Sequence, residues 1–284
     1  PAIKTELAEN KDITLINKTK NEEYKLICDV SERQKDILSA GSLLDFTKKE
    51  NKIMVFVTGD THGDPNRLSK NVLKNLNEGD TLIVCGDFGF IWDKSKAEQK
   101  ILKAFSKRKY NICFIDGTHE NFDLLNAYPL TIWNGGKVHQ ISDNIFHLMR
   151  GQIFEIDGLK IFTMGGGESP DLDSRIDDNP WLKYEIPSKD ELLEGAANLE
   201  NNDCKIDVII THEPSSTIKG FLKLGESEAV RVTTLNAYFD ELSKCSEFKR
   251  WFFGSLHLDK YISNTYIGVH KAIVNAHTGE RVKF

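Results

Sequence analysis

The 284-residue chain has no CxxC pair, no surplus of basic residues, and no run of the ~18 to 20 apolar residues that a bilayer crossing needs. Each absence removes a class of protein. The five cysteines (Cys28, Cys85, Cys113, Cys204, Cys245) are far apart and sit mostly in apolar, strand-like stretches, so they read as reduced, buried thiols rather than a disulfide framework. Lys and Arg total 37 against 43 Asp and Glu, a formal charge of −6, which argues against a broad grip on nucleic-acid backbone. The opening PAIKTELAENK lacks the apolar core of a secretion signal. These features together lead us to expect a cytoplasmic protein with no membrane segment.

What is present divides in two. Residues 1–50 read as a small N-terminal module of unknown role. ITLINKTKNEEYKLI has turn-prone residues at its centre, as a β-hairpin would, and SERQKDILSAGSLLDF reads as a short helix opened by Ser31 and broken at Gly41, before the polar linker TKKENK. Residues 51–284 form the main domain. There IMVFV, TLIVC, NICFI, KIFTM, DVII and WFF are short β-rich runs of the kind buried on both faces of a sheet, and RLSKNVLKNL and KAEQKILKAFSKR read as amphipathic helices between them. That alternation predicts an α/β fold.

Small residues and then acids or histidines follow each apolar run: TGDTHGD, GDFGF, DGTHENF, GGGES, THEP and GSLH. Loops beyond the carboxyl ends of strands line the ligand crevice of an open α/β sheet, so these residues are expected to converge. Asp60, His62, Asp87, His119, His212 and His257 then offer oxygen and imidazole donors suited to borderline divalent ions such as Mn, Fe, Ni or Zn. The bland reading of the same residues is strand-end capping and turn formation. A bound ion of this type lowers the pKa of its water from ~15.7 toward ~7, which makes metal-assisted hydrolysis the natural chemistry.

The ordered set Asp60-x-His62, Gly86-Asp87, Gly117-Thr118-His119-Glu120, His212 and Gly254-Ser255-x-His257 resembles the calcineurin-like metallophosphoesterase superfamily, whose pattern is D-x-H, G-D, G-N-H-D/E, H and G-H-x-H. WNGGKVHQI, HLMRGQIFEIDGLKIFTMGG and EIPSKDELLEGAANLE further resemble a subgroup common in bacteria and phages. The resemblance implies an α/β/β/α sandwich with two central mixed sheets and hydrolysis of a phosphomonoester or phosphodiester by metal-bound hydroxide. It makes Asp60, His62 and His257 ligands of a first ion, Asp87 a bridging ligand, and His119 the group that protonates the leaving alkoxide, helped by a neighbouring acid such as Asp64. His212 is either a second-ion ligand or a phosphate contact. Mn²⁺ is the expected ion, with Fe, Ni, Zn and Mg as alternatives, one or two per chain.

Two positions depart from the pattern. Thr118 stands where the resemblance calls for Asn and Ser255 where it calls for His, and both would be ligands of the second ion. Neutral hydroxyls approach a hard ion weakly, so that site is expected to be weakened or remodelled, with Asp259 or Glu213 as substitute oxygens. Thr118 and Ser255 become candidate substrate contacts, together with Arg175 in the polar segment 168–188, read as a loop over the site from which Trp181 is the other candidate. Gly165-Gly166-Gly167 could offer amides to an anion or be a tight turn. His139, His147, His270 and His277 are assigned structural or exposed places. Three readings remain: a phosphoesterase; a degenerate one that binds a nucleotide or phosphorylated partner without turnover; and an interaction protein recruiting its partner through residues 1–50.

Overall fold

The structure, a computed structural model, describes residues 13–26, 31–42, 53–169, 180–223 and 231–282. They fall into two units, Pro1–Lys52 and Ile53–Phe284. In the first, β1 (Ile13–Asn17) pairs antiparallel with β2 (Glu22–Leu26), and the Asn17 side chain accepts from the amides of Thr19 and Lys20 to close the hairpin. Helix α1 (Glu32–Ala40) starts at Ser31, whose hydroxyl accepts from the Gln34 amide while Gln34 Oε1 accepts from the Ser31 amide. It ends at Gly41, whose φ of 103° suits glycine. The linker at 47–52 and Cys28 lie outside the described residues.

The second unit is built on two sheets. A seven-stranded sheet has the order β15 (Val274–Asn275), β3 (Val55–Thr58), β4 (Thr81–Cys85), β5 (Asn111–Ile115), β8 (Ile145–Leu148), β7 (Gly136–Ser142), β6 (Leu130–Trp133), with β3, β4, β5 and β8 parallel. A six-stranded sheet runs β13 (Lys260–Tyr261), β14 (Tyr266–Gly268), β12 (Arg250–Phe253), β11 (Val208–Thr211), β10 (Leu159–Met164), β9 (Gln152–Ile156), with β10, β11, β12 and β14 parallel. Both sheets are mixed, each closed by antiparallel strands.

Side-chain alternation sorts each strand between two cores. Val55, Val57, Ile83, Ile115, Ile161, Ile210 and Phe252 fill the space between the sheets. Phe56, Leu82, Val84 and Phe114 face outward against α2 (Lys96–Phe105) and the segment that carries Leu68, Leu73 and Leu76. Phe162, Ile209, Trp251 and Phe253 face the opposite way, against α4 (Lys189–Glu200), α5 (Ser216–Leu222) and α6 (Thr234–Cys245); the remaining helix, α3 (Phe122–Leu125), is one turn after β5. The result is an α/β/β/α sandwich, its strands buried on both faces as their unbroken apolar runs require.

Three expectations are corrected. RLSKNVLKNL is a series of turns, not a helix, although Leu68, Leu73 and Leu76 are buried as a helical stripe would bury them. Ser69 Oγ accepts from the Val72 amide, the kind of local bond with which Ser and Asn compete against a helix ladder. The segment 168–188, read as a loop over the site, has a packed end among its described residues: Pro180–Glu185 is a 3₁₀ turn, and Glu185 is fully buried, accepting from the Ser169 amide at 2.6 Å. Finally, Cys85 and Cys113 are buried free thiols, but Cys204 is half-buried and Cys245 exposed. No helix among the described residues is long and apolar enough to cross a membrane.

Candidate metal centre

The motif loops meet where β3, β4, β5, β11 and β12 end. Bonds donated by backbone amides lock them to one another. The His62 amide donates to the Asp87 carbonyl at 2.8 Å, the His119 amide donates to Asp87 Oδ1 at 2.7 Å, and the Gly254 and Ser255 amides both donate to the His212 carbonyl at 3.1 Å. His62, Asp87 and His257 hold φ values of 46°, 44° and 51°, a region non-glycine residues enter at a cost and which collects at functional sites. Glycine is required beside them by space: a Cβ on Gly254 would lie 2.2 Å from Asp60 Oδ1, and one on Gly117 2.1 Å from Asp87 Oδ1.

Three sets of donor atoms lie within 4.8 Å of one another: Asp60, His62 and His257; His62, Asp87 and His119; and Asp60, Asp87 and His212. Asp60 is 1% exposed, and neither of its carboxylate oxygens accepts a hydrogen bond, although His257 Nε2 lies 3.0 Å from Oδ2. His62 Nε2 and His257 Nε2 are 3.0 Å apart. Two buried oxygens without donors beside converging imidazole nitrogens form the donor set of a divalent cation, and these residues fit one. His212 donates Nδ1–H to the Cys85 carbonyl at 3.0 Å, the outer-sphere bond that fixes a ligand histidine, and its Nε2 faces Asp87 Oδ1 at 3.8 Å.

The charges are strongly coupled. Burial would raise the Asp87 carboxyl, but His212 and His119 outweigh it and hold it well below the usual range. Burial opposes a proton on His212, yet the carboxylates of Asp87 and Asp60 lift its pKa to about 9. His257 is raised by the Asp60 carboxylate beside it, whereas burial lowers His62. Glu120, fully buried, is pushed well up by burial and by the charge of Asp87, and its Oε1 accepts from the Phe88 amide, supporting the loop that carries Asp87.

The remaining expected residues are placed as follows. His119 Nδ1 lies 2.9 Å from Asp87 Oδ2 and 3.0 Å from Thr118 Oγ1. Asp64 instead shapes a turn, its Oδ1 accepting from the amide and side chain of Asn66, so the carboxylate beside His119 is Asp87. Ser255 Oγ is buried without a hydrogen-bond partner. Asp259 is consumed by the amides of His270, Lys271 and Ala272, so of the two substitute acids Glu213 is the one on the cleft wall, where Glu168 also stands. Gly166 and Gly167 spend their amides on the carbonyls of Asp116 and Glu185, so neither amide is offered to an anion and the stretch is tied to two neighbouring segments. Arg175 lies outside the described residues, as does the side chain of Trp181.

Two openings reach the cluster, and His119 lines both. One, of about 460 Å³, is also bordered by Asp87, Thr118, His212, Ser255 and His257; the other, of about 430 Å³, by His62, Phe90 and Trp92. The sequence reading missed Lys219, Lys223 and Arg231 on the first of these walls; a lysine three residues beyond a helix start carries no recognisable spacing, and only the fold brings it to the cleft. His270, read as structural or exposed, stacks its ring on His257 at 4.9 Å between centroids.

The profile of calcineurin-like phosphoesterases matches residues 53–277. The chain belongs to that family. Among curated proteins none matches. A solved structure with similarity, the phosphopantetheinyl hydrolase PptH from Mycobacterium tuberculosis, is 13% identical with a TM-score of 0.37, covering 77% of this chain and 90% of that one. Membership implies divalent metal binding and phosphoester hydrolysis in general, and the three donor sets supply the side chains for it.

Proposed function

We propose that the chain is a cytoplasmic hydrolase of phosphomonoesters or phosphodiesters, working with a divalent ion, Mn²⁺ by preference, held by Asp60, His62, Asp87 and His257. The carrying observation is the buried Asp60 carboxylate, which has no hydrogen bond and has two imidazole nitrogens converging on it. The ion would supply Lewis acidity toward a water and a phosphoryl oxygen. The protein supplies the rest. Asp87 accepts the Nδ1–H of His119, which orients the ring and leaves Nε2 to hand a proton to the departing alkoxide; general acid help of this kind is worth ~10² to 10⁴ in rate. His212, its Nδ1–H committed to Cys85, presents Nε2 to a weak second ion or to the phosphate. The unpaired core thiols Cys85 and Cys113 agree with a reducing compartment.

Turnover of p-nitrophenyl phosphate and bis-p-nitrophenyl phosphate with added Mn²⁺ tests the proposal, with Asp87→Asn as the control. Activity that persists in that variant belongs to a contaminant, and absence of turnover in the parent removes the hydrolase reading. A second reading, a binding protein without turnover, draws support from Thr118 and Ser255, whose hydroxyls stand where the family supplies ligands. The double variant Thr118→Asn with Ser255→His separates the two. If it gains a second bound ion and a large increase in rate, the parent is an enzyme short of one ion; a gain in metal alone favours the binder.

A further inference from the structure

Asp60 and His257 have to be held in register before an ion can be shared between them, and one cation reaches the main chain of the first and the segment packed on the second. Arg67 is half-buried, and its guanidinium forks between two carbonyls from separate parts of the chain. Nη1 donates to the Asp60 carbonyl at 2.7 Å, and Nη2 donates to the carbonyl of His270, 203 positions further on. The turn after Asp60 delivers the arginine to this place. In that turn the Asp64 amide donates to the Thr61 carbonyl at 2.9 Å, the Arg67 amide donates to the Asp64 carbonyl at 3.1 Å, and the Asp64 carboxylate accepts from Asn66. Leu68, 1% exposed, anchors the next position in the outer core. The far end of the fork is fixed as well. The His270 carbonyl also accepts from the Gly59 amide at 3.1 Å, the His270 amide donates to Asp259 Oδ1 at 2.8 Å, and the His270 ring stacks on His257. Gly59 precedes Asp60 and Asp259 follows His257 by two residues, so the contacts close a ring around both ligands. The planar guanidinium holds its N–H groups at a set spread, which a point-like ammonium does not.

We propose that Arg67 is a positioning residue of the metal centre: it fixes Asp60 directly and His257 through His270, so that their donor atoms already converge when the ion arrives. This deepens the hydrolase reading and rests on it for the ion itself. Contacts that orient ligands from behind are worth about 10- to 100-fold in metal affinity. Asp64 then serves the centre by shaping the turn that carries Arg67.

Calorimetric titration of the full, metal-free chain with Mn²⁺ tests the role without requiring turnover. Arg67→Gln, which loses the charge and the fork, should bind Mn²⁺ about ten-fold more weakly than the parent or worse, and Arg67→Lys, which keeps the charge alone, should fall between them. The electron paramagnetic resonance line shape of the Mn²⁺-saturated protein should change in Arg67→Gln, a readout that global stability does not move. Urea unfolding in EDTA, measured in parallel, separates positioning from bracing. If the folded Arg67→Gln protein binds Mn²⁺ within about three-fold of the parent, the proposal is overturned whatever its stability in EDTA. Where Arg67→Gln does not fold, Arg67→Lys decides by the same limit. Release of p-nitrophenol from p-nitrophenyl phosphate keeps the two ideas apart. No Mn²⁺ binding by the parent removes the metal centre and this role with it. Binding that the variants share undiminished sinks the role of Arg67 alone, and variant-sensitive binding without turnover sustains the role while removing the hydrolase.

Discussion

Asp60 and Asp116 both follow a parallel strand of the same sheet, and each is 1% exposed, yet their surroundings are opposite. Asp116 receives Arg150 Nε at 2.9 Å, Arg150 Nη2 at 2.6 Å and His147 Nε2 at 3.1 Å. Arg150 also reaches Glu191 and the carbonyls of Tyr184 and Glu185, and His147 continues to His139 at 3.0 Å. Burial would raise the Asp116 carboxyl, but Arg150 and His147 hold it well below the usual range. Asp60 accepts no hydrogen bond; His257 Nε2 lies 3.0 Å and His62 Nε2 4.0 Å from its Oδ2, both imidazoles that the metal reading uses. One buried carboxylate is completed by the protein and braces the fold; the other is left for a ligand, and leaving it so is tolerable only where function requires it.

The sharpest way to break this comparison is Asp116→Ala, which strands a buried guanidinium. It should cost about 3 to 5 kcal/mol in urea unfolding, whereas Asp60→Asn, measured in EDTA, should change stability by less than about 1 kcal/mol. Equal losses at both sites would show that Asp60 too is structural. Next, Mn²⁺ at about a hundred times its dissociation constant should stabilise the parent by about 2.7 kcal/mol and leave Asp60→Asn unmoved. Stabilisation that persists in the variant would place the ion elsewhere.

The smallest effect comes from acid. Burial, with the charge of His147, lowers the pKa of His139 to about 4, below the ordinary value of 6.5. Between those values the unfolded chain binds a proton that the folded chain refuses, so stability from this site is present above pH 6.5 and falls as pH drops toward 4. His139→Gln should flatten that part of the stability profile in urea titrations at stepped pH. An unchanged slope would assign the acid sensitivity to other groups.

The same contrast explains what could be read in advance. Asp60, His62, Asp87, His119 and His257 were legible because each stands at a fixed offset from an apolar run and a glycine, and His212 because it follows an apolar run; a Cβ on Gly117 or Gly254 would strike a carboxylate, one on Gly86 the His212 ring and one on Gly59 the Val269 carbonyl. The Asp116 assembly was not legible: Arg150, His147 and Glu191 come from distant stretches with no local spacing, and their pairing exists only once the sheets have formed. Six of the eight parallel strands announced themselves as unbroken apolar runs, while β8, interrupted by His147, and β14, only three residues long, did not. The antiparallel members, such as β6 with exposed Leu130 and Ile132, did not. The leucines of RLSKNVLKNL gave the right buried residues and the wrong element, since turns can bury the same side chains.

The motif loops are bonded to one another through their own main chains, from His62 to Asp87 and from Ser255 to His212 within each half, and from the Gly59 amide to the His270 carbonyl and the Gly166 amide to the Asp116 carbonyl between the halves. It follows that the centre is inherited whole. A chimaera that takes its amino-terminal half from this chain and its carboxyl-terminal half from a distant relative would have to match carbonyls and amides across the seam before any side chain could matter. Laboratory diversification aimed at new substrates should therefore leave these loops alone and vary the lysine-bearing helix across the cleft.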